Sequence, residues 1–172
     1  MTPRSDSTAW VADSGLFIAC GRQENTKYTA LERFATQNHI TLIIPQHVYE
    51  ELTGAPAQST PGQIPIDSAI TSGWVTVAEE LDYTNSTIAT VMDRTRSYIA
   101  NSSNRPEDQI ERADTALAGI AVQLLLQGSA PSVCLVTTDT DAGQGIVTAV
   151  EAAGFTDQIT FKDGFELIES IT

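Results

Sequence analysis

The stretch that decides the fold reads Ser132-Val133-Cys134-Leu135-Val136-Thr137-Thr138-Asp139-Thr140-Asp141. Its apolar residues form a continuous run and do not alternate with polar ones, which is typical of a strand buried on both faces of a parallel sheet. We therefore predict a buried strand over residues 132–138. Hydroxyl and acidic side chains follow the run directly, so they should lie at the carboxyl end of that strand.

Strand-like runs alternate with helical patterns along the whole chain. We predict further strands at 9–13, 40–44, 74–77 and 158–161, and helices at 16–20, 24–38, 46–52, 66–72, 85–102, 106–127, 142–153 and 164–170. The segment from Thr53 to Pro65 is rich in Pro, Gly, Ser and Gln, which predicts a loop. The alternation indicates an α/β fold whose parallel sheet is covered by helices on both faces.

The composition is that of a globular protein with one domain. The chain has 172 residues, 41% of them hydrophobic, which is enough for a sizeable core. It has no apolar run of the roughly 18 residues that a membrane span needs, and no apolar segment behind Met1 that would make a secretory signal. The two cysteines lie in apolar surroundings, which favours buried free thiols and a reducing, cytoplasmic location.

The formal net charge of −13 is the strongest bias in the composition. The 22 acids are spread along the chain, and lysine occurs only at Lys27 and Lys162. This pattern is typical of proteins adapted to molar salt, where the Debye length falls to about 3 Å and self-repulsion is screened. The alternative is an ordinary acidic protein. Under the first interpretation the charge reflects the solvent, so it does not exclude a nucleic-acid partner.

Three acids lie where parallel strands would gather them. Asp13 ends the first predicted strand, and Asp139 follows the strand at 132–138. Ligands of parallel sheets bind beyond the carboxyl ends of the strands, so these two acids share an edge if their strands are neighbours. Asp141 is two residues further on and could share a cation with Asp139. The alternative is that Asp139 or Asp141 only caps the next helix.

Two more acids belong to predicted helices. Asp114 lies on or beside the apolar stripe of its helix, where a buried carboxylate is costly unless it is paired or binds a cation. The alternative is a surface acid at the border of the stripe. Glu51 follows Val48 by three residues and so should lie nearer the sheet than Glu50.

Together, Asp13, Glu51, Asp114 and Asp139 predict a cluster that binds a divalent cation. Mg²⁺ is bound in proteins through one or two carboxylates, waters and substrate phosphates. Such an ion can activate water for attack on phosphorus and offset the charge that develops on the phosphoryl oxygens. The pattern therefore indicates phosphodiester hydrolysis without a cysteine or serine nucleophile.

Four segments carry a resemblance to a known family. They read Val11-Ala12-Asp13-Ser14-Gly15, Ile44-Pro45-Gln46-His47-Val48-Tyr49-Glu50-Glu51-Leu52, Ala113-Asp114-Thr115-Ala116-Leu117-Ala118 and Val136-Thr137-Thr138-Asp139-Thr140-Asp141. In order and spacing they resemble the acidic motifs of PIN-domain proteins, among them VapC-type toxins and archaeal PIN-like proteins. The resemblance covers most of the chain. It implies a three-layer α/β/α sandwich with a central, mostly parallel sheet, as a single domain over 1–172 with an enlarged insertion at about 53–104.

The same resemblance implies an endoribonuclease that depends on Mg²⁺ or Mn²⁺. RNA would be the substrate, a small antitoxin protein a partner, and a homodimer the expected assembly. The alternative is a PIN-like RNA-binding or protein-assembly module without catalysis. Carried over by motif, the catalytic and metal-binding acids are Asp13, Glu51, Asp114 and Asp139, with Asp141 as a further ligand and Thr137 and Ser14 as auxiliary residues.

Four of the nine basic residues lie in one segment: Arg94, Arg96, Arg105 and Arg112. They could contact RNA phosphates or the acidic groups of an antitoxin. The alternative is a solvated face whose charge is balanced by neighbouring acids.

Two other motifs are weaker. Gly143-Gln144-Gly145 opens a helix, but a dinucleotide fingerprint needs Gly or Ala three residues later, where Thr148 stands. We expect these glycines to allow a tight turn instead. Asp139-Thr140-Asp141 also resembles the motif of haloacid-dehalogenase-type phosphatases, which belongs after the first strand and needs a later lysine. Here it follows a late strand, and the one later lysine is Lys162.

Overall fold

The computed structural model of the chain describes residues 8–21, 26–53, 66–106, 108, 110 and 112–172. Within them the strands are β1 (Ala9–Ala12), β2 (Leu42–Ile44), β3 (Val75–Val77), β4 (Val133–Thr137) and β5 (Ile159–Asp163). The helices are α1 (Ser14–Cys20), α2 (Thr26–Gln37), α3 (Gln46–Thr53), α4 (Ile66–Ser72), α5 (Ser86–Ser103), α6 (Arg112–Leu126), α7 (Thr140–Ala152) and α8 (Gly164–Ile171). The predicted loop at 53–65 lies, after Thr53, outside the described residues.

The strands form one parallel sheet in the order β3-β2-β1-β4-β5. The central strand β1 pairs with β4 in a register that sets Ala12 opposite Val136. All five residues of β4 are buried, as its continuous apolar run predicts. The prediction of a parallel α/β sheet is therefore confirmed.

Each face of the sheet packs against its own layer of helices. Alternate residues of β1 and β4 point to opposite faces, so Val11 and Leu135 belong to one core and Ala12 and Val136 to the other. Helices α5, α6 and α7 cover the first face, and α1, α2, α3, α4 and α8 cover the second. The result is the predicted α/β/α sandwich. In the described part of the chain, no helix is long and apolar enough to cross a membrane.

Helix α6 begins later than the sequence predicts. Asn104 ends α5 in the left-handed conformation, with φ of 56°, and the amide of Arg105 then donates to the Ala100 carbonyl at 3.0 Å. Pro106 follows that turn in a non-helical conformation, and α6 starts at Arg112. The predicted start at Pro106 was wrong, because Pro106 directly follows the left-handed cap of α5 and lies outside both helices.

Helix α7 begins earlier than predicted, at Thr140, and it contains the two glycines that were expected to form a turn. Gly143 and Gly145 are both buried within the helix. A Cβ on Gly143 would lie 2.6 Å from the Phe161 ring, and one on Gly145 would lie 2.8 Å from the ring of Tyr98. The tight-turn prediction was therefore wrong. The glycines let α7 pack closely against β5 and α5.

We predict that Gly143→Ala destabilises the protein by about 1 kcal/mol. Overpacking against the Phe161 ring costs about 1–3 kcal/mol, which exceeds the gain of about 1 kcal/mol that alanine has in a helix. Urea unfolding measures the difference. Gln144→Ala, on the exposed side of α7, is the matched control and should change stability by less than about 0.5 kcal/mol. A Gly143→Ala variant as stable as the natural protein would contradict the close packing.

Candidate functional site

The pairing of β1 with β4 brings together two residues that are 124 positions apart. One step beyond the paired residues Ala12 and Val136, the amide of Asp13 donates to the Val136 carbonyl at 3.2 Å. The Thr137 hydroxyl then donates a short hydrogen bond to Oδ2 of Asp13. Thr137 is fully buried, so this bond is shielded from water.

Asp139 is held beside this pair by two contacts. Its amide donates to Oγ1 of Thr137 at 3.1 Å, so the hydroxyl links the two acids. Its Oδ1 accepts from the amide of Ala142 at 3.1 Å, which caps α7. The capping alternative therefore holds for one oxygen of Asp139. The cap also fixes the position of its carboxylate relative to Asp13.

Asp13 carries an unsatisfied oxygen. Its Oδ1 is buried and has no hydrogen-bond partner among the described residues. Burial raises the pKa of the Asp13 carboxyl, and the nearby Asp139 carboxylate raises it further. The bond from Thr137 and the nearby amides of Leu16 and Gly15 oppose that rise. Neither amide reaches Oδ1 with hydrogen-bond geometry, so the burial of this atom is only partly compensated.

The backbone approaches closely around Asp13. A Cβ on Gly15 would lie 2.1 Å from Oγ1 of Thr138 and 3.2 Å from Oδ1 of Asp13. A Cβ on Gly164 would lie 2.9 Å from the methyl group of Thr138. Both glycines thus allow the close packing at the site, a role that the sequence did not predict. Their spacing in the sequence gives no signal for it.

The structure does not gather all of the predicted acids. Glu51 is exposed on α3, as is Glu50, so the expectation that Glu51 points toward the sheet finds no support in its burial. Asp114 is half-buried in the first turn of α6, and Asp141 half-buried in the first turn of α7. Among the described residues, no three acids, histidines or cysteines are grouped so that they could hold a metal ion. The pair that the structure brings together is Asp13 and Asp139.

This pair has the donor chemistry of a site for a hard cation. Carboxylate oxygens are the ligands that Mg²⁺ and Mn²⁺ prefer, and no nitrogen or sulfur ligand is needed. A cation would satisfy Oδ1 of Asp13 and offset its repulsion with Asp139. The donor chemistry of the pair therefore fits the divalent ion that the sequence predicts, and Asp13 and Asp139 would be the residues that hold it.

The arginine segment is only partly described. Arg94 and Arg105 are exposed, and the guanidinium of Arg96 lies 3.4 Å from the carboxylate of Asp93 on the same helix. Arg105 donates to the Ser103 hydroxyl at 3.0 Å. The balancing of charge that the alternative predicted is thus present at Arg96. Contact of this segment with RNA or a protein partner stays a prediction.

A parallel α/β/α sandwich with acids at the carboxyl ends of its central strands is the architecture expected of a PIN-like fold. A family model described as the Halobacterial PIN domain matches residues 6–172. The chain therefore belongs to the halobacterial PIN-domain family, as the resemblance predicted. This family agrees with the interpretation of the −13 charge as adaptation to high salt. No curated protein matches the chain.

We predict that Asp13→Asn stabilises the protein in chelator at neutral pH. An amide keeps an acceptor for Thr137 and removes a buried charge, a gain of about 1 kcal/mol, or about 2–4 °C in the melting midpoint. Because the native pKa of Asp13 is raised, the native carboxyl binds a proton at a higher pH than the unfolded one. The natural protein therefore gains stability relative to the variant as the pH falls through the native pKa.

Urea unfolding in about 2 M KCl, from about pH 7 to about pH 4, measures this difference. The advantage of Asp13→Asn should shrink steadily as the pH falls. Glu169→Gln, which changes an exposed acid on α8, is the control and should show no such trend. An Asp13→Asn variant that is less stable than the natural protein throughout would contradict the account.

Proposed function

We propose that the protein is a divalent-metal-dependent endoribonuclease. The observation that carries the proposal is the buried Oδ1 of Asp13, which has no hydrogen-bond partner in the described part of the chain and lies near Asp139 at the carboxyl edge of a PIN-type sheet. A buried carboxylate oxygen without a partner destabilises the fold. Such strained groups concentrate at functional sites, where a ligand compensates for their cost.

The chain's own residues hold this site ready for an ion. Thr137 orients Asp13 through its donated hydrogen bond, and the helix cap orients Asp139. Mg²⁺ or Mn²⁺, when bound, would supply Lewis-acid activation of water and stabilise charge on the phosphoryl group. We propose that Asp13, or Asp114 acting through a water, is the general base that accepts the proton of the attacking water. Glu51, Asp114 and Asp141 would complete the acidic set.

The proposal includes the partners that the resemblance implies. RNA is the substrate, and the arginines at 94, 96, 105 and 112 would contact its phosphates. A role as the toxin of a toxin–antitoxin pair, with a small antitoxin as inhibitor and a homodimer as the assembly, is the finer form of the same proposal.

A second candidate function is a PIN-like module that binds RNA or assembles with protein without catalysis. One observation favours it: among the described residues, Glu51 and Asp114 do not join Asp13 and Asp139 in a group that could hold a metal ion. Under this function, divalent ions would raise the melting midpoint without any turnover.

We predict that the natural protein cleaves single-stranded RNA in molar KCl with Mn²⁺, and that EDTA stops the reaction. Asp13→Asn and Asp139→Asn should each lower the rate by about 100-fold or more, the scale expected for losing a group that acts on the reacting atoms. Gel analysis of a labelled RNA measures the cleavage.

Glu51→Gln and Glu50→Gln form a matched pair of variants on α3. Both acids are exposed neighbours on α3, so the two variants differ only in which carboxylate is removed. The proposal expects a loss with Glu51→Gln and none with Glu50→Gln. Equal cleavage by the natural protein and Asp13→Asn would contradict the ribonuclease assignment.

A further inference from the structure

A second concave site lies on the same edge of the sheet as Asp13. It has a volume of about 390 Å³. Pro45, directly after β2, and Ala78, directly after β3, form one wall, and Ala116 and Ile120 of α6 form another. Because neighbouring strands are about 5 Å apart, this pocket begins one or two strand spacings from Asp13 along the edge. It is within the size range of small-molecule sites.

The mouth of the pocket carries an exposed aromatic ring on a fixed loop. Tyr83 lines the pocket, and 59% of the residue is exposed. Its neighbour Thr84 donates from its amide to the Asp82 carboxylate at 3.0 Å, and the amide of Asn85 donates to the Asp82 carbonyl at 3.1 Å. Asn85 then caps α5. The tyrosine thus lies in a closed turn that leads directly into a helix.

Helix α6 holds this loop through hydrogen bonds and packing. The buried Gln123 accepts from the amide of Asp82 at 2.9 Å and donates to the Glu80 carbonyl at 3.2 Å. Leu81 packs so closely on α6 that a Cβ at Gly119 would lie 3.1 Å from its methyl groups. A buried amide that uses both of its ends on one loop holds the loop in a single position. The backbone on both sides of Tyr83 is thus held by hydrogen bonds, and its exposed ring is accessible for stacking.

The polar lining limits what the pocket can bind. Glu79 and Glu80 are two exposed acidic residues of the lining, and Gln46 and His47 line the side toward β2. The acids repel a phosphate, but they accept hydrogen bonds from an exocyclic amino group. A flat, uncharged ring that bears such a group matches both the aromatic platform and the carboxylates. Guanine, adenine and cytosine carry an amino group, and uracil does not.

We propose that this pocket binds one amino-bearing base of the substrate strand, stacked on Tyr83, beside the acidic site. The inference rests on the proposed function for its substrate class and gives that function a source of sequence preference. Stacking on an aromatic side chain is available to every base, so Tyr83 supplies affinity. The carboxylates of the pocket supply the discrimination against uracil.

The test is a titration of the 172-residue chain with single nucleosides in molar KCl and EDTA, in which NMR saturation transfer and chemical shifts report binding. We expect guanosine, adenosine and cytidine to bind about tenfold more tightly than uridine, the scale of one lost hydrogen bond to a charged acceptor. Tyr83→Ala should weaken binding by about fivefold or more, and Tyr83→Phe should retain it.

Phe165→Ala is the matched control. Phe165 is 60% exposed, close to the value for Tyr83. It lies on α8, which follows the outer strand β5, whereas the pocket lies beside β2 and the other outer strand, β3. This variant should bind like the natural protein, and melting curves should show that each variant is folded. Equal affinity in Tyr83→Ala and the natural protein, or equal affinity for uridine and cytidine, would overturn the proposal.

The binding assay also separates the two proposals, because it uses no metal ion and no cleavage. Nucleoside selectivity without any RNA cleavage by the natural protein would contradict the ribonuclease assignment and support the base-binding pocket. Cleavage that depends on Asp13, together with nucleoside binding that ignores Tyr83, would contradict the pocket alone.

Discussion

The register between β1 and β4 is the constraint on which the site depends. It sets Ala12 of β1 opposite Val136 of β4. The residues that follow them, Asp13 and Thr137, therefore meet at the edge of the sheet. A slip of one residue would turn every side chain of the strand to the other face and separate the acid from its hydroxyl partner. The two apolar cores hold the register in place, because β1 and β4 are covered by helices on both faces. The hydrophobic packing of the sandwich thus fixes the polar geometry at its edge.

Without a bound cation, that geometry lowers the stability of the folded protein. Oδ1 of the half-buried Asp13 has no hydrogen-bond partner among the residues described, and burial and the nearby Asp139 both raise the pKa of its carboxyl. Most buried polar groups in proteins have partners, so an exception at the ligand-binding edge of a parallel sheet indicates function more than a defect of packing. The surrounding charge adds to the cost, because a protein with net charge −13 repels a further anion. High salt screens the distant charges, but it acts less on a pair shielded by the fold.

The sequence was sufficient for the architecture and for the central pair of acids. Continuous apolar runs predicted the strands of the parallel sheet. Asp13 and Asp139 could be predicted at one edge of that sheet because each follows such a run, and the local pattern defines where a strand ends. The helix positions were harder. The directions of the Asp114 and Glu51 side chains depend on how α6 and α3 are rotated about their axes. The short apolar pattern around each acid does not determine that rotation. The start of α6 depends on the cap of α5, and Gly143 and Gly145 serve contacts with Tyr98 and Phe161 that are distant in sequence. The pocket at Tyr83 comes from three segments of the chain, and no single one of them carries a motif.

The proposed function requires Asp13 and Asp139 to be two ligands of one divalent cation. Anomalous diffraction from crystals grown in molar salt with Mn²⁺ tests it most directly, because Mn²⁺ marks its own position. The account predicts an anomalous peak in direct contact with carboxylate oxygens of Asp13 and Asp139, and no peak there in crystals of Asp13→Asn. A peak between Glu79 and Glu80 instead, or none near Asp13 at saturating Mn²⁺, would contradict it.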